Sequence, residues 1–447
     1  MPGPTVFKPA NFPETHAATL PNGLKMRHAQ WQGGPAVVAS LIVRGGAGVD
    51  PTDKAGLGRL TASLLTAGAG TMSEDSLADA LTRVDATLEA TTDLDAVTLT
   101  LVAPKEQMKA ALDLFGTVVA TPTFPGTAVE REKKKQVQAL QDVANAPRLL
   151  SRATTRRLLY GAGTAYAAEG SGLGTTSGVG RITRSDIADY HGRWFNPTNS
   201  EIVMVGDISP AEAQSLLSGN LGRWNSVGSR AADVSVPTRV ADPGVYLIDR
   251  PGMEQVDLTV STLLDTPASP ANAAQAVMTN ALGDSTTGRV NQDLREQKHW
   301  AYWVGGTVEG SRAGQMMLIR TQVQPQRTAE TIAAIKGHLE GVKGGTPLSP
   351  DELQLARDML TLSLPLEWET DEGIANAIAT AVRRGLPDGA IEEFVTDVRA
   401  VTKEQLEQTA RQILRAETLV WVILGDRSKV EPSLKSAGIA YEVLTPE

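Results

Sequence analysis

The chain has 447 residues, with 42 Lys or Arg against 51 Asp or Glu, a formal net charge of −9. Such acidity argues against a nucleic-acid binder; a hydrophobic share of 41% argues against disorder, and the length leaves room for a large core in about three domains. There is no cysteine, which removes disulfides, thiolate nucleophiles, iron–sulfur clusters and zinc–cysteine sites together. The five histidines, His16, His28, His191, His299 and His338, are too far apart in sequence for a local His-based zinc motif.

In chain order, Met1–Pro13 is proline-bearing and has no basic head followed by an apolar stretch, so no secretory signal is visible. The longest apolar runs, Ala36–Val43 and Leu419–Leu424, have strand length, far below the roughly 18 residues of a membrane span. The missing cysteine points to an exported chain, a periplasmic one with its signal removed, over a cytosolic one. A strand at Leu99–Ala103 is followed by a helix over Lys105–Val119, a proline-marked loop at Pro122–Pro125 and a helix over Ala128–Val143. Lys133–Lys135 on that helix read as a solvated face. Gly170–Gly174 is glycine-rich, but it follows no strand and lacks the Gly-Lys-Ser/Thr ending of a phosphate loop, so it reads as a flexible loop. No Gly-x-Ser-x-Gly elbow is present, which argues against an independent serine hydrolase.

Further along, the chain repeats itself. Ile182–Ile187 resembles Val401–Leu406 at an offset of 219, and the same offset lays Glu201–Asp207 on Val420–Asp426. An ungapped stretch of 26 positions therefore shares one pattern: a Thr-capped helix, a turn, and a buried strand ending in Gly-Asp. Thr183 and Thr402 are the two predicted N-caps. The second half also repeats the earlier series, with a strand at Leu318–Gln324, a helix over Thr328–Val342, a loop at Pro347–Pro350 and a helix over Asp351–Leu362. A unit of about 210–220 residues is too long for a solenoid repeat. The pattern predicts a duplicated α+β domain: residues 1–224, a linker at 225–245 rich in Ser, Ala, Asp, Pro and Gly, and residues 246–447.

Several segments resemble the pitrilysin/insulinase family of zinc metallopeptidases, in the short two-domain style of the mitochondrial processing peptidase subunits. Leu20-Pro21-Asn22-Gly23-Leu24 resembles the family's opening L-x-N-G-L. Val37–Val43 with Arg44–Asp50 resembles its first core strand and following turn, and Lys54–Leu57 leads into the helix that normally carries the zinc motif. In the second half Pro251–Val256 resembles the start of the C-terminal domain, Leu282–Val290 its L-G-G…S-R-L, and Leu294–Tyr302 its L-R-E-x-K-G-L-A-Y. The resemblance implies two homologous domains, each a mostly antiparallel sheet covered by helices.

Active members carry His-x-x-Glu-His on that first helix, two ligands on one helical face and a Glu that activates water. Laying Gly56–Leu65 on the motif puts Arg59 and Ser63 at the His positions and Ala62 at the Glu; the third ligand falls within Gln136–Gln141, on Ala139. A guanidinium cannot ligate, alanine has no donor atom, and a lone neutral serine does not hold zinc. Arg59 reads as a solvated or salt-bridged helix residue. No metal is expected in this chain.

The resemblance implies a role for Arg295 and Tyr302, which match an Arg and a Tyr that the family uses beside zinc. Tyr302 would hydrogen-bond the oxyanion and Arg295 would hold the substrate backbone or share that charge, donors worth about 2.7–4 kcal/mol in a transition state. Without the family, they read as a surface Arg pairing with Glu296 or Asp293 and a half-buried Tyr. His299 stands where the family has Gly and reads as a turn residue, since His tolerates positive φ. The combination implies one subunit of a heteromeric zinc metallopeptidase, a heterodimer or dimer of heterodimers. A homologous partner supplies zinc, two His and a Glu; this chain supplies Arg295, Tyr302 and half of a peptide-degrading chamber, with no activity alone. Peptide substrate would add to a sheet edge; Ser40–Gly46 is the corresponding segment here, as a receiving edge or only as lining of the chamber. The alternative is a purely structural, core-like subunit that cleaves nothing.

Overall fold

A computed structural model describes residues 12–161, 164–167, 171–231, 242–264, 273–312, 314–415 and 418–445. Of the expected linker at 225–245, residues 232–241 lie outside the described residues, as does Gly170 of the glycine-rich segment. The chain forms two compact units. The first takes in Met1–Asp142, Ala168–Val234 and Leu364–Glu392; the second takes in Val143–Ala167, Ser235–Ser363 and Glu393–Glu447. These units differ from the contiguous stretches 1–224 and 246–447, because one helix of each half is built into the other half's unit.

The first unit holds β1 (Thr15–Thr19), β2 (Lys25–Gln30), β3 (Ala36–Arg44), a two-residue pair β4 (Gly68–Ala69) and β5 (Met72–Ser73), then β6 (Thr87–Thr92), β7 (Ala96–Pro104) and β8 (Ser200–Gly206). Its main sheet runs β1-β2-β8-β3-β7-β6, with β2 and β8 parallel and the other neighbours antiparallel. The second unit holds β9 (Gly244–Asp249), β10 (Val256–Leu264), β11 (Ala301–Ser311), β12 (Gly314–Val323), β13 (Val420–Gly425) and β14 (Glu442–Leu444), in the order β11-β12-β10-β13-β9-β14.

Read from the β6 and β11 ends, the two sheets have the same order and the same parallel or antiparallel pairings over five strands. The registers agree as well. Ser40 lies opposite Val203, and Thr259 opposite Val422, each number raised by 219; Arg27 opposite Val203 likewise becomes Tyr246 opposite Val422. The sixth strands differ: β1 runs antiparallel to β2, whereas β14 runs parallel to β9.

β3 is buried along almost its whole length, which is why it reads as an unbroken Val/Ala/Leu/Ile run. One face meets the core of the first unit, which includes Leu60, Leu64 and Phe115. The other is covered by the helix Asp371–Arg384, which packs on β3 and β8. In the second unit the helix Pro147–Tyr160 packs in the same way on β10 and β13. The segment Ser40–Gly46, expected at a substrate-receiving edge, is not at one: β3 is paired on both sides, with β7 and β8, so its backbone groups are spent. The edge on that side is β6.

Thr183 and Thr402 cap their helices with reciprocal bonds to Asp186 and Gln405, devices typically worth about 1 kcal/mol each. No helix among the described residues is long and apolar enough to cross a membrane.

Candidate functional site

In the first unit, β3 runs into Gly45 and Gly46 at φ 131° and 53°, a region that favours glycine. A Cβ on Gly46 would lie 2.4 Å from the Asp93 carbonyl oxygen, so only glycine lets this turn lie against the 93–96 segment. The buried Tyr190 hydroxyl donates to the Gly46 carbonyl at 2.8 Å. Asp50 then caps the helix Leu57–Leu64, its two carboxylate oxygens accepting from the N–H of Gly56 and of Gly58 at 2.8 Å each. Desolvation pushes the Asp50 carboxyl up to about 7, against the pull of those N–H groups.

This helix carries the three positions where the family's motif would sit. Arg59 is half-buried and donates from Nη1 to the Ser171 carbonyl at 3.0 Å, which pins it to backbone; among the described residues it makes no ion pair. Ala62 is 2% exposed, within the core. Ser63 is exposed and its hydroxyl is spent on the Leu60 carbonyl at 3.0 Å. Ala139 lies half-buried on the helix Gly126–Asn145. One turn earlier, the buried Gln136 amide donates to the carbonyls of Gly56 at 3.0 Å and Leu173 at 2.9 Å.

The segment Ser171–Gly174 is therefore tied to the helix entrance rather than a loose loop, and a Cβ on Gly174, at φ 75°, would fall 2.1 Å from the Ala55 carbonyl oxygen. A guanidinium, two methyls and a spent hydroxyl do not fit zinc. Among the described residues, no group of three or more His, Asp or Glu is placed to hold a metal ion.

In the second unit, the short helix Arg289–Asn291 is continued by a wider-wound turn, Gln292–Gln297. Arg289 anchors it with a two-pronged ion pair to Glu352, 2.7 Å from Nε and 2.7 Å from Nη2, and with bonds to the carbonyls of Thr346 and Pro347. Although desolvation opposes it, the Arg289 guanidinium holds the Glu352 carboxyl down to about 2. Asp293 accepts from Lys298 Nζ at 2.7 Å and His338 Nε2 at 2.9 Å.

His299 turns the chain at φ 56° and donates from Nδ1 to the Arg295 carbonyl at 3.0 Å, the turn role its place in the motif implies. Arg295 is exposed, with only the neighbouring Glu296 at 3.5 Å. Tyr302 follows at the start of β11, where the pairing with β12 slips between Ala301 and Val304. It is 75% exposed, not half-buried, and its hydroxyl makes no hydrogen bond among the described residues.

Sequence reasoning missed Asp50, Gln136 and Arg289. Asp50 had one usable signal, a carboxylate shortly before an apolar helix; the Gln136 and Arg289 bonds join residues 80 and 63 apart in sequence and leave no local trace.

Two models of one family cover most of this chain. Residues 29–167 match insulinase (peptidase family M16) and residues 181–360 match the peptidase M16 inactive domain. The chain belongs to the insulinase family, peptidase M16, and its sequence contains no His-x-x-Glu-His. It is 21% identical to the non-peptidase homologue YmxG of Helicobacter pylori over 87% of this chain and 89% of that protein. It is also 21% identical to an uncharacterised zinc protease of Mycobacterium leprae, where the match spans 54% of this chain and about half, 54%, of that relative's length. Among solved structures, a peptidase M16 inactive domain from Pseudomonas fluorescens superposes with a TM-score of 0.84 at 20% identity, over 97% of this chain and all of that one. The periplasmic protease PqqL of Escherichia coli matches with a TM-score of 0.77 at 14% identity, over 97% of this chain and 51% of that one.

Proposed function

We propose that this chain is the non-zinc-binding subunit of a heteromeric zinc metallopeptidase. It forms half of a peptide-degrading chamber and supplies Arg295 and Tyr302 to the zinc site of a homologous partner that carries His-x-x-Glu-His, either as a heterodimer or as a dimer of heterodimers. The observation that carries the reading is Tyr302: a large aromatic residue left 75% exposed, with an unspent hydroxyl, in a segment that is otherwise anchored by Arg289, Asp293 and His299. A Tyr serving only structure would bury its ring and satisfy its hydroxyl.

In the assembled enzyme the Tyr302 hydroxyl donates to the oxyanion as the scissile carbonyl becomes tetrahedral, and the Arg295 guanidinium binds the peptide carbonyl beside it. The partner's His-x-x-Glu-His would hold a zinc ion, which would supply the activated water. Alone, the chain hydrolyses nothing. The test is reconstitution with a His-x-x-Glu-His partner and measurement of peptide turnover with Tyr302→Phe and Arg295→Ala. A fall of about 10²–10³ in kcat for Tyr302→Phe with an intact complex supports the catalytic role. Unchanged kcat/KM makes the chain a scaffold of the core-subunit kind.

A further inference from the structure

Arg148, Arg152 and Arg156 recur every four residues on the helix Pro147–Tyr160 and so share one face. That helix lies on the second unit's sheet, where two carboxylates and a fourth guanidinium meet it. Glu309 of β11 takes Arg152, at 2.8 Å from Nη2, and Arg156, at 3.5 Å. Asp257 of β10 takes Arg320 of β12 at 3.3 Å, long for a charge-assisted bond. Among the described residues, a chain of net charge −9 thus gathers four guanidiniums around Glu309 and Asp257, with Arg156 making a further interaction besides Glu309.

The surplus has an address. Arg148 is exposed, makes no hydrogen bond or ion pair among the described residues, and lies 5.8 Å over the Trp303 ring. Arg320 is 5% exposed, lies 5.5 Å over the same ring, and leaves its buried Nε without a partner. Desolvation, together with the charges of Arg148 and Arg152, lowers the Arg320 pKa against the pull of Asp257. Among the described residues Arg148 makes no hydrogen bond or ion pair with either carboxylate, so it is not spent on holding the helix to the sheet.

We propose that Arg148, Arg320 and Trp303 form a carboxylate-binding site for an acidic group of an extended peptide lying along β11. A carboxylate accepts from a guanidinium in a two-pronged geometry, and the indole supplies a flat wall against which such forks stack. The ligand is a peptide because β11 ends the sheet: its outer edge has no strand partner among the described residues and can pair with an added strand. For the class of ligand this rests on the peptide-handling reading above. It requires neither a partner subunit nor turnover, so the two can fail separately.

The test is fluorescence anisotropy on the full-length lone chain with a short labelled peptide carrying internal Glu, its Glu→Gln counterpart, and the C-terminal amide of each. The site predicts that the best carboxylate form binds at least ~10-fold tighter than the form lacking it, about 1.4 kcal/mol. Loss on Glu→Gln assigns a side-chain carboxylate; loss on amidation assigns the chain terminus. Arg148→Ala and Arg148→Gln should both abolish the preference without moving the melting temperature. Equal binding of all peptides, or a preference that survives both variants, overturns the proposal. So does inorganic phosphate binding that depends on Arg148 where no peptide preference exists, which makes the site one for free anions.

Discussion

Substituting His299 with glycine and with alanine isolates the backbone conformation that delivers Tyr302. The residue is exposed, sits at φ 56°, and donates from Nδ1 to the Arg295 carbonyl. Alanine loses that bond, worth about 0.5–1.5 kcal/mol, and keeps a left-handed strain of about 1–2 kcal/mol. Glycine loses the same bond but relieves the strain, at an extra unfolded-state entropy of about 0.4–1 kcal/mol. The difference leaves His299→Gly more stable than His299→Ala by about 0.5–1 kcal/mol, the reverse of the usual order of these residues. Equilibrium urea unfolding reads the difference, with amide exchange in β11 and β12 assigning the transition to this sheet. Alanine equal to or better than glycine would refute the reasoning, because the turn would then not hold its left-handed conformation in solution.

Two pH effects of opposite sign follow from two half-buried carboxyls. Asp50 titrates at about 7 when folded against an ordinary 3.8, so the folded chain holds a proton the unfolded chain has released; stability from this group rises as pH falls from about 7 toward 4 and gains nothing above 7. Asp50→Asn should flatten that part of a melting-temperature profile, and an unchanged slope would contradict the burial. Glu352, held at about 2 against 4.5, stabilises above its ordinary value and loses this as pH falls toward 2. Arg289→Met should therefore lower stability more at pH 7 than at pH 2; equal losses would show that the ion pair carries no net energy. Phe115→Ala, in the core at 0% exposure, should cost about 3–5 kcal/mol in denaturant unfolding, and a loss under 1 kcal/mol would place the ring outside the core.

The duplication was legible because strands buried on both faces, such as Ile202–Val205 and Val422–Leu424, are written as unbroken apolar runs, and helix starts as Thr with Asp or Gln three residues on. The offset of 219 read from one short segment is the offset that carries the pairings of β2, β3 and β8 onto those of β9, β10 and β13. His299 was legible for a similar reason, as few side chains accept its conformation. What the pattern could not carry is partnership at a distance. The helix Pro147–Tyr160 buries Leu150, Thr154 and Leu159, but nothing local says that it covers the other half's sheet. Placing the strand Ser40–Gly46 at an edge failed because pairing partners are set by β7 and β8, far along the chain. The arginine spacing at 148, 152 and 156 was visible, yet its meaning depends on Asp257, Glu309 and Arg320, which only the fold brings beneath it.

We propose that Arg59, Ala62, Ser63 and Ala139 stand at the positions of the family's ligands and leave no seat for zinc among the described residues. Equilibrating the purified chain with excess zinc, removing the free ion by gel filtration and measuring metal by atomic emission tests it directly. The account predicts zinc far below one equivalent per chain. One equivalent retained, and lost on substitution within the Leu57–Leu64 helix or residues 136–141, would contradict it.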